Sequence, residues 1–476
     1  MDMLIGASTA HLENGKQVDV LNPASGELID TVTSATPAHI ELTLDCAKKG
    51  RDLWAETPLH ERCKILFKYA DLVEANQDEL ALLLSKETGK AIKSAEGEMS
   101  RVGMMVRGYA ERALHLYGDC LSDAQPGMEK DVIFTRRDPL GIVVCVVPFN
   151  HPASLYTQKI APALAMGNAI IIKPASDNPL TVLRLTQLLL DAGVPPTVAQ
   201  CITGSGSVIG NYLVSSPHIN AITLTGSTGV GIAVAEQAAK HLHHVHLELG
   251  GNDPFIVFGD ADVDVAVEDT VISRAFTAGQ TCASSKRLII HNSIKQTYTE
   301  KLVARLKEIK VGDPQSRDTD VGTLINEGAA AEVEKQVQHT IDQGAKCILG
   351  GKRDGAFFPM TVLTDVTPEM DVSKDLEIFG PVFPVIGFDT PEEAIEIANS
   401  SCFGLMSGIM TNDYKTAMKM AKALQSGGVV VGGTGNYRPP ELAFGGYKMS
   451  GIGREGISAT LEEMSQLKSI ILKGVF

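Results

Sequence analysis

Apolar residues recur at helical spacing early in the chain and later give way to short unbroken runs. At 62–70 and 80–84 they fall three and four apart, predicting helices with one buried face, and 91–117 read as a longer helix. The first third is therefore expected to be mainly helical. From residue 142 onward, β-rich apolar runs at 142–147, 169–172, 200–203, 221–224 and 245–247 alternate with helical stretches. Runs apolar on both faces, separated by helices, predict a parallel sheet with crossovers. A second alternating region extends from Pro254 to about 431, with strands expected near 288–291, 347–349, 382–388 and 428–431. Two α/β lobes follow. Residues 129–138 and 467–472 read as further strands, either an internal edge pair or an arm that pairs between subunits.

Length agrees with this division, because single hydrophobic cores stop growing at roughly 250–300 residues and this chain has 476. A net charge of -15 and a pI near 5.3 argue against a nucleic-acid partner, which calls for a basic face. There is no run of 18 apolar residues, and Met1-Asp2-Met3-Leu4-Ile5-Gly6 lacks the basic start and apolar stretch of a secretory signal. No membrane partner and a cytoplasmic location are expected. The eight cysteines are scattered without CxxC pairs, so neither a disulfide framework nor a zinc site is indicated. His244, His246 and Glu248 share one strand face at period two. With no further ligand set visible, no metal is expected.

One cysteine differs in its surroundings. Cys282 lies in Phe276-Thr277-Ala278-Gly279-Gln280-Thr281-Cys282-Ala283-Ser284-Ser285, among small and polar residues that leave room for substrate and let backbone amides approach a thiolate. Upstream, Glu248-Leu249-Gly250-Gly251-Asn252-Asp253-Pro254 places a carboxylate at the end of a strand and before two glycines. The pair suggests a thiol nucleophile and a base. The strict G-x-G-x-x-G dinucleotide fingerprint is missing: Gly204, Gly206 and Gly210 are one residue too widely spaced, and Gly226, Gly229 and Gly231 run in another order. In its place strand 221–224 runs into Thr225-Gly226-Ser227-Thr228, where Ser227 or Thr228 can cap a helix whose first amides face a pyrophosphate.

Those two centres, together with Pro148-Phe149-Asn150-His151-Pro152, Ile172-Lys173-Pro174-Ala175-Ser176, Thr225-Gly226-Ser227-Thr228-Gly229, Glu377-Ile378-Phe379-Gly380-Pro381 and Phe444-Gly445-Gly446-Tyr447-Lys448-Met449-Ser450-Gly451, resemble the aldehyde dehydrogenase superfamily. The ordered motifs span nearly the whole chain. The resemblance implies an α/β fold of two Rossmann-type lobes plus a β oligomerisation arm, and a homodimer or homotetramer. It also implies boundaries: a cofactor-binding domain at 1–116 and 141–249, with 450–463 returning to it, a catalytic domain at 250–449, and the arm at 117–140 and 464–476.

In such an enzyme Cys282 attacks the aldehyde, and the Asn150 side-chain amide and Cys282 backbone amide stabilise the oxyanion of a thiohemiacetal. A hydride leaves for the nicotinamide, and Glu248 activates the water that hydrolyses the thioester. Lys173 matches the family's contact to the adenosine ribose and is counted with the catalytic set. Glu377 and Phe379 match contacts to the nicotinamide ribose and ring. Phe149, Gly206, Gly210, Thr225, Gly226, Ser227 and Leu249 complete the expected cofactor site. Many NAD-preferring members carry a glutamate three residues after the lysine, where this chain has Ser176. Without that carboxylate a 2′-phosphate is not repelled, so NADP is expected as well as NAD.

The expected substrate is a small-molecule aldehyde that is polar or anionic. His151 and Gln158 stand where many members are aromatic, Arg438 falls at the substrate mouth, and Arg101 and Arg107 offer a further cation. Thr281 and Phe444 adjoin the same site. Succinic semialdehyde suits these residues; lactaldehyde, glycolaldehyde, phosphonoacetaldehyde and a phosphorylated glyceraldehyde are alternatives, the phosphates weakened because position 281 is Thr rather than Arg. A cofactor-independent thiol esterase would use Cys282 and Glu248 but leave Lys173, Glu377 and the Gly226 turn without purpose, and a non-catalytic protein would need none of them.

Overall fold

The computed structural model describes residues 1–6, 15–123 and 125–476. Its architecture is α/β, built on two separate sheets. In the first, five parallel strands stand in the order His244–Glu248, Ala221–Thr225, Ile142–Val146, Ala169–Lys173, Ala199–Cys201, and the short Gly451–Ile452 adds antiparallel to the His244–Glu248 edge. The second has seven strands in the order Lys346–Leu349, Thr361–Val366, Val382–Phe388, Arg287–His291, Pro254–Val257, Met406–Met410, Gly428–Val431, all parallel except the first.

The apolar runs explain both sheets. Ile142, Val143, Val144 and Cys145, and likewise Ala169 to Ile172, are buried on both faces because helices cover the sheet on either side. Helices Leu59–Ala75, Gln77–Thr88 and Ile92–Leu114 occupy the regions where helical spacing predicts them, and pack on Pro152–Ala165 and Leu180–Ala192. The first third is less uniformly helical than expected. Gln17–Leu21 and Leu28–Thr33 form an antiparallel hairpin, which polar residues interleaved with a few apolar ones do not announce.

Strand Ser465–Leu472 pairs antiparallel along Val132–Pro139, with Cys120–Leu121 on the other side. The three make a sheet of their own, and Leu467, Ile471 and Leu472 are exposed on it. No helix among the described residues is long and apolar enough to cross a membrane.

Candidate active site

Open parallel sheets bind ligands beyond the carboxyl ends of their strands, and the first sheet delivers its polar residues there. Lys173 ends Ala169–Lys173, Thr225 ends Ala221–Thr225, Glu248 ends His244–Glu248, and Asn150 follows Ile142–Val146. Cys282 arrives from the second lobe on a tightly wound turn. Thr277, Ala278 and Gly279 all have positive φ (50°, 53° and 74°), a conformation that costs energy for the two non-glycine residues and marks a functional turn. A Cβ on Gly279 would lie 2.2 Å from the carbonyl oxygen of Gly380. Buried Arg274 ties the same two segments together, donating to the carbonyls of Gly279 (2.9 Å), Ile378 and Val382 (3.0 Å) and to Ser284 Oγ (2.8 Å).

Thiol and carboxylate come together from the two lobes. A Cβ on Gly251 would sit 3.2 Å from the Cys282 carbonyl oxygen, so the Glu248–Gly251 turn runs beside the thiol turn. Cys282 is partly exposed and packs with Ala283, Leu405, Met406 and Phe444. Burial pushes its thiol up to about 11, while Arg438 and Lys286 pull it down. Both carboxylate oxygens of Glu248 are buried with no hydrogen-bond partner among the described residues. Burial, and then the charge of Glu455, hold this carboxyl well above the usual range. Asn150 is buried, and one N–H of its amide donates to Gln280 O at 2.9 Å. That bond aims the group and leaves its second N–H uncommitted.

Several of the expected cofactor residues are brought near one another. Lys173 Nζ lies 3.4 Å from Ser176 Oγ and 3.8 Å from where a Cβ on Gly206 would stand, so Gly206 sets no side chain against the buried ammonium. Burial brings this lysine down to about 8. Ser176 is exposed and donates to Gly204 O. Ser227 is the N-cap of Thr228–Ala239, yet neither its side chain nor that of Thr228, which bonds Met449 O, caps the helix; the expected cap is absent and the first amides stay open. Thr225 Oγ1 instead accepts from Lys159 at 2.7 Å. Gly226 follows it, where a Cβ would lie 3.5 Å from Leu224 Cδ2, nothing lies within 4 Å of where a Cβ on Gly210 would stand, and Leu249 is buried against Gly231. Val208 and Val230 are exposed on helices Gly206–Val214 and Thr228–Ala239, which pack against each other. Glu377 is partly exposed rather than sealed in apolar surroundings: it accepts from Gly251 N (3.2 Å) and pairs with Lys286 (3.3 Å). Phe379 stands edge-on to Phe149 at 6.0 Å. These features fit a dinucleotide.

Substrate-side expectations divide. His151, Gln158, Thr281, Arg438 and Phe444 do converge. Arg438 donates to Gln158 Oε1 and to Glu455, and its guanidinium stacks 3.8 Å over Phe444. His151 Nε2 is 3.4 Å from Thr281 Oγ1. The helix arginines do not join them. Arg107 is held by Asp71 and Glu74, whose carboxylates satisfy its charge, and Arg101 is exposed on the outer face of its helix.

Buried charges that the sequence reading passes over complete the centre. Lys159 and Glu455 pair at 3.3 Å beneath Glu248; Lys90 pairs with Glu98 behind Asn150; Lys286 donates to the Cys282 carbonyl. The signal was a lysine inside the apolar helix Pro152–Ala165 for Lys159; nothing comparable marks Glu455, Lys90 or Glu98. Among the described residues no three His, Cys, Asp or Glu side chains converge as metal ligands. His244 faces Glu463 and His246 is buried against Thr223.

The α/β fold brings a thiol and a buried carboxylate together beside residues that fit a dinucleotide, the arrangement of an oxidoreductase. The chain belongs to the aldehyde dehydrogenase family, whose model matches residues 11–470. It is 36% identical over 469 residues to succinate-semialdehyde dehydrogenase [NADP(+)] of Escherichia coli (strain K12), covering 98% of this chain and 96% of the relative. It is similarly 36% identical over 468 residues to 3-sulfolactaldehyde dehydrogenase of Pseudomonas putida, covering 97% and 95%. The solved structure of glyceraldehyde-3-phosphate dehydrogenase from Methanocaldococcus jannaschii, complexed with NADP, superposes with a TM-score of 0.92 at 36% identity over 97% of this chain and 100% of that one.

Proposed function

We propose that this aldehyde dehydrogenase oxidises a small aldehyde with an anionic tail to its carboxylate, using NADP or NAD, with succinic semialdehyde the best-fitting substrate. The observation that carries this reading is Glu248, a buried carboxylate without a partner beside a partly open thiol. A group so costly to bury has a purpose if water is to be deprotonated there. The relatives act on carboxylate-, sulfonate- and phosphate-bearing aldehydes by name, and Arg438 supports the same tail chemistry: only one nitrogen of its guanidinium bonds to the described residues, so its other edge is open to an anion.

Cys282 Sγ adds to the carbonyl carbon, and the oxygen that becomes negative is met by the free N–H of Asn150 and the backbone N–H of Cys282. Against burial, which raises the thiol, Arg438 and then Lys286 pull it down and favour the thiolate. The dinucleotide is held by Lys173, Ser176, Gly206 and Gly210 at the adenosine end, by Thr225, Gly226, Ser227 and Leu249 at the pyrophosphate, and by Glu377, Phe379 and Phe149 at the nicotinamide end. Bound there, it supplies the hydride acceptor. The resulting Cys282 thioester is attacked by water whose proton passes to Glu248, and the thiol is released with the carboxylate product.

In this reading residues 1–116, 141–249 and 450–463 form the cofactor domain, 250–449 the catalytic domain, and 117–140 with 464–476 an arm. Exposed Leu467, Ile471 and Leu472 favour that arm pairing between subunits in a homodimer or homotetramer. The test is the ultraviolet absorbance of reduced cofactor with NADP or NAD and a panel of charged and uncharged aldehydes. Absorbance growing fastest with succinic semialdehyde supports the proposal; growth with none refutes it.

A further inference from the structure

Behind Asn150 lies a second buried charge cluster that the chemistry above does not use. Lys90 and Glu98 pair with almost no side-chain exposure. Buried ion pairs rarely outperform apolar packing in stability, because desolvating two charges offsets their attraction. What this pair touches gives it another role. Glu98 Oε1 accepts from the amides of Ala153 (3.0 Å) and Ser154 (3.1 Å), the first turn of Pro152–Ala165, which no side chain of its own N-cap serves. Lys90 Nζ donates to Glu98 Oε2 and to the Asn150 carbonyl (2.9 Å), and stands 3.3 Å from His151 Nδ1, which also lies 3.4 Å from Glu98 Oε2. An ammonium has three protons; if Nδ1 donated to Glu98 Oε2, the third of them would have no acceptor among the described residues, so Nδ1 is assigned as its acceptor. With Nδ1 accepting, the proton of the neutral imidazole resides on Nε2. The ring is stacked on Phe276 at 5.5 Å, so that N–H is aimed at Thr281 Oγ1, one residue before the thiol.

We propose that Lys90 and Glu98 are positioning residues which hold the Asn150 loop in register with Cys282 and present His151 as an Nε2–H donor to the anionic tail of the aldehyde. This deepens the reading of the site given above and rests on it. Arg438 and His151 then bracket the tail from two sides with donors only, a combination that carboxylate, sulfonate or phosphate oxygens satisfy and an alkyl group does not. The charged groups facing His151 are Lys90, Glu98 and Arg438; burial and then Lys90 keep the ring on the neutral side of its ordinary range.

Kinetics with NADP, comparing succinic semialdehyde with butanal, test the assignment. His151→Phe keeps the ring stack and removes the donor; the kcat/KM ratio of succinic semialdehyde to butanal should fall about ten- to a hundred-fold. His151→Gln places an amide N–H near the Nε2 position and should recover most of that ratio, whereas His151→Asn, which mimics Nδ1, should not. An unchanged ratio in the Phe variant, or equal rescue by Gln and Asn, overturns the donor role. For the pair, the charge-neutral double variant Lys90→Met, Glu98→Gln should lower kcat about ten-fold or more with both aldehydes while the KM for NADP stays within about two-fold. A double variant with native kcat shows that the pair only packs, and should it not fold, the three His151 variants decide alone. If the unmodified enzyme reduces no cofactor with either aldehyde, the underlying function fails instead.

Discussion

Glu455 and Glu248 share one buried cluster and lie on opposite sides of the ordinary carboxylate range. Burial raises both, but Lys159 and Arg438 outweigh it at Glu455 and bring that group down, whereas Glu248 has no partner and is raised further by Glu455 itself. A fixed anion beside an unpaired carboxyl raises its proton affinity, the tuning that a proton-accepting carboxyl uses.

Separating the two half-reactions is the first expectation. Cys282→Ala should abolish cofactor reduction, while Glu248→Gln should give a rapid burst of reduced cofactor near one equivalent and then turn over about a hundred- to a thousand-fold more slowly. Rapid-mixing absorbance resolves the two. Native steady-state turnover in the Gln variant would mean that another group deprotonates the water.

Stability should move the other way. Because the folded pKa of Glu248 lies above its unfolded value of about 4.3, the folded protein retains a proton that the unfolded chain loses, and stability falls as pH climbs through that window. Gln does not titrate. Glu248→Gln should therefore melt higher by about 2–4 °C at about pH 8, with the gap shrinking toward about pH 5. Scanning calorimetry at a fixed rate reads this, and a gap independent of pH would contradict the unpaired burial.

Arg438→Met should have two effects from one change. Loss of the guanidinium should raise KM for succinic semialdehyde about ten- to a hundred-fold more than for butanal. It should also move the rising limb of kcat against pH upward, because Arg438 opposes the raised pKa of Glu248. A limb that stays in place would separate Arg438 from the base.

At the proposed adenosine end, Ser176→Glu should raise KM for NADP about ten-fold or more while affecting NAD far less, since a carboxylate beside Lys173 repels a 2′-phosphate and accepts from ribose hydroxyls. Equal effects on both would place the 2′-phosphate elsewhere.

What could be read from the chain follows from where its information is local. Runs such as 169–172 name buried parallel strands because three consecutive isoleucines between the breakers Gly167-Asn168 and Pro174 suit a short strand covered on both faces, and Cys282, Glu248 and Asn150 sit inside motifs. Glu98, Glu455 and Lys90 were not legible. On a helix or a loop a charged residue reads as solvent-facing, and only the approach of another segment, as when Lys159, 296 residues away, meets Glu455, reveals that it is buried. The same ambiguity misplaced Arg107, whose partners Asp71 and Glu74 lie on a neighbouring helix.

Gly279 has a practical consequence. With Gly380 pressed against it and Arg274 stitching both sides, the thiol and the Glu377–Phe379 segment form one unyielding wall that accepts almost no new atoms. Libraries seeking new aldehydes should therefore lose all function on that wall and find their gains opposite, where His151, Gln158 and Arg438 hang from a separate helix and loop.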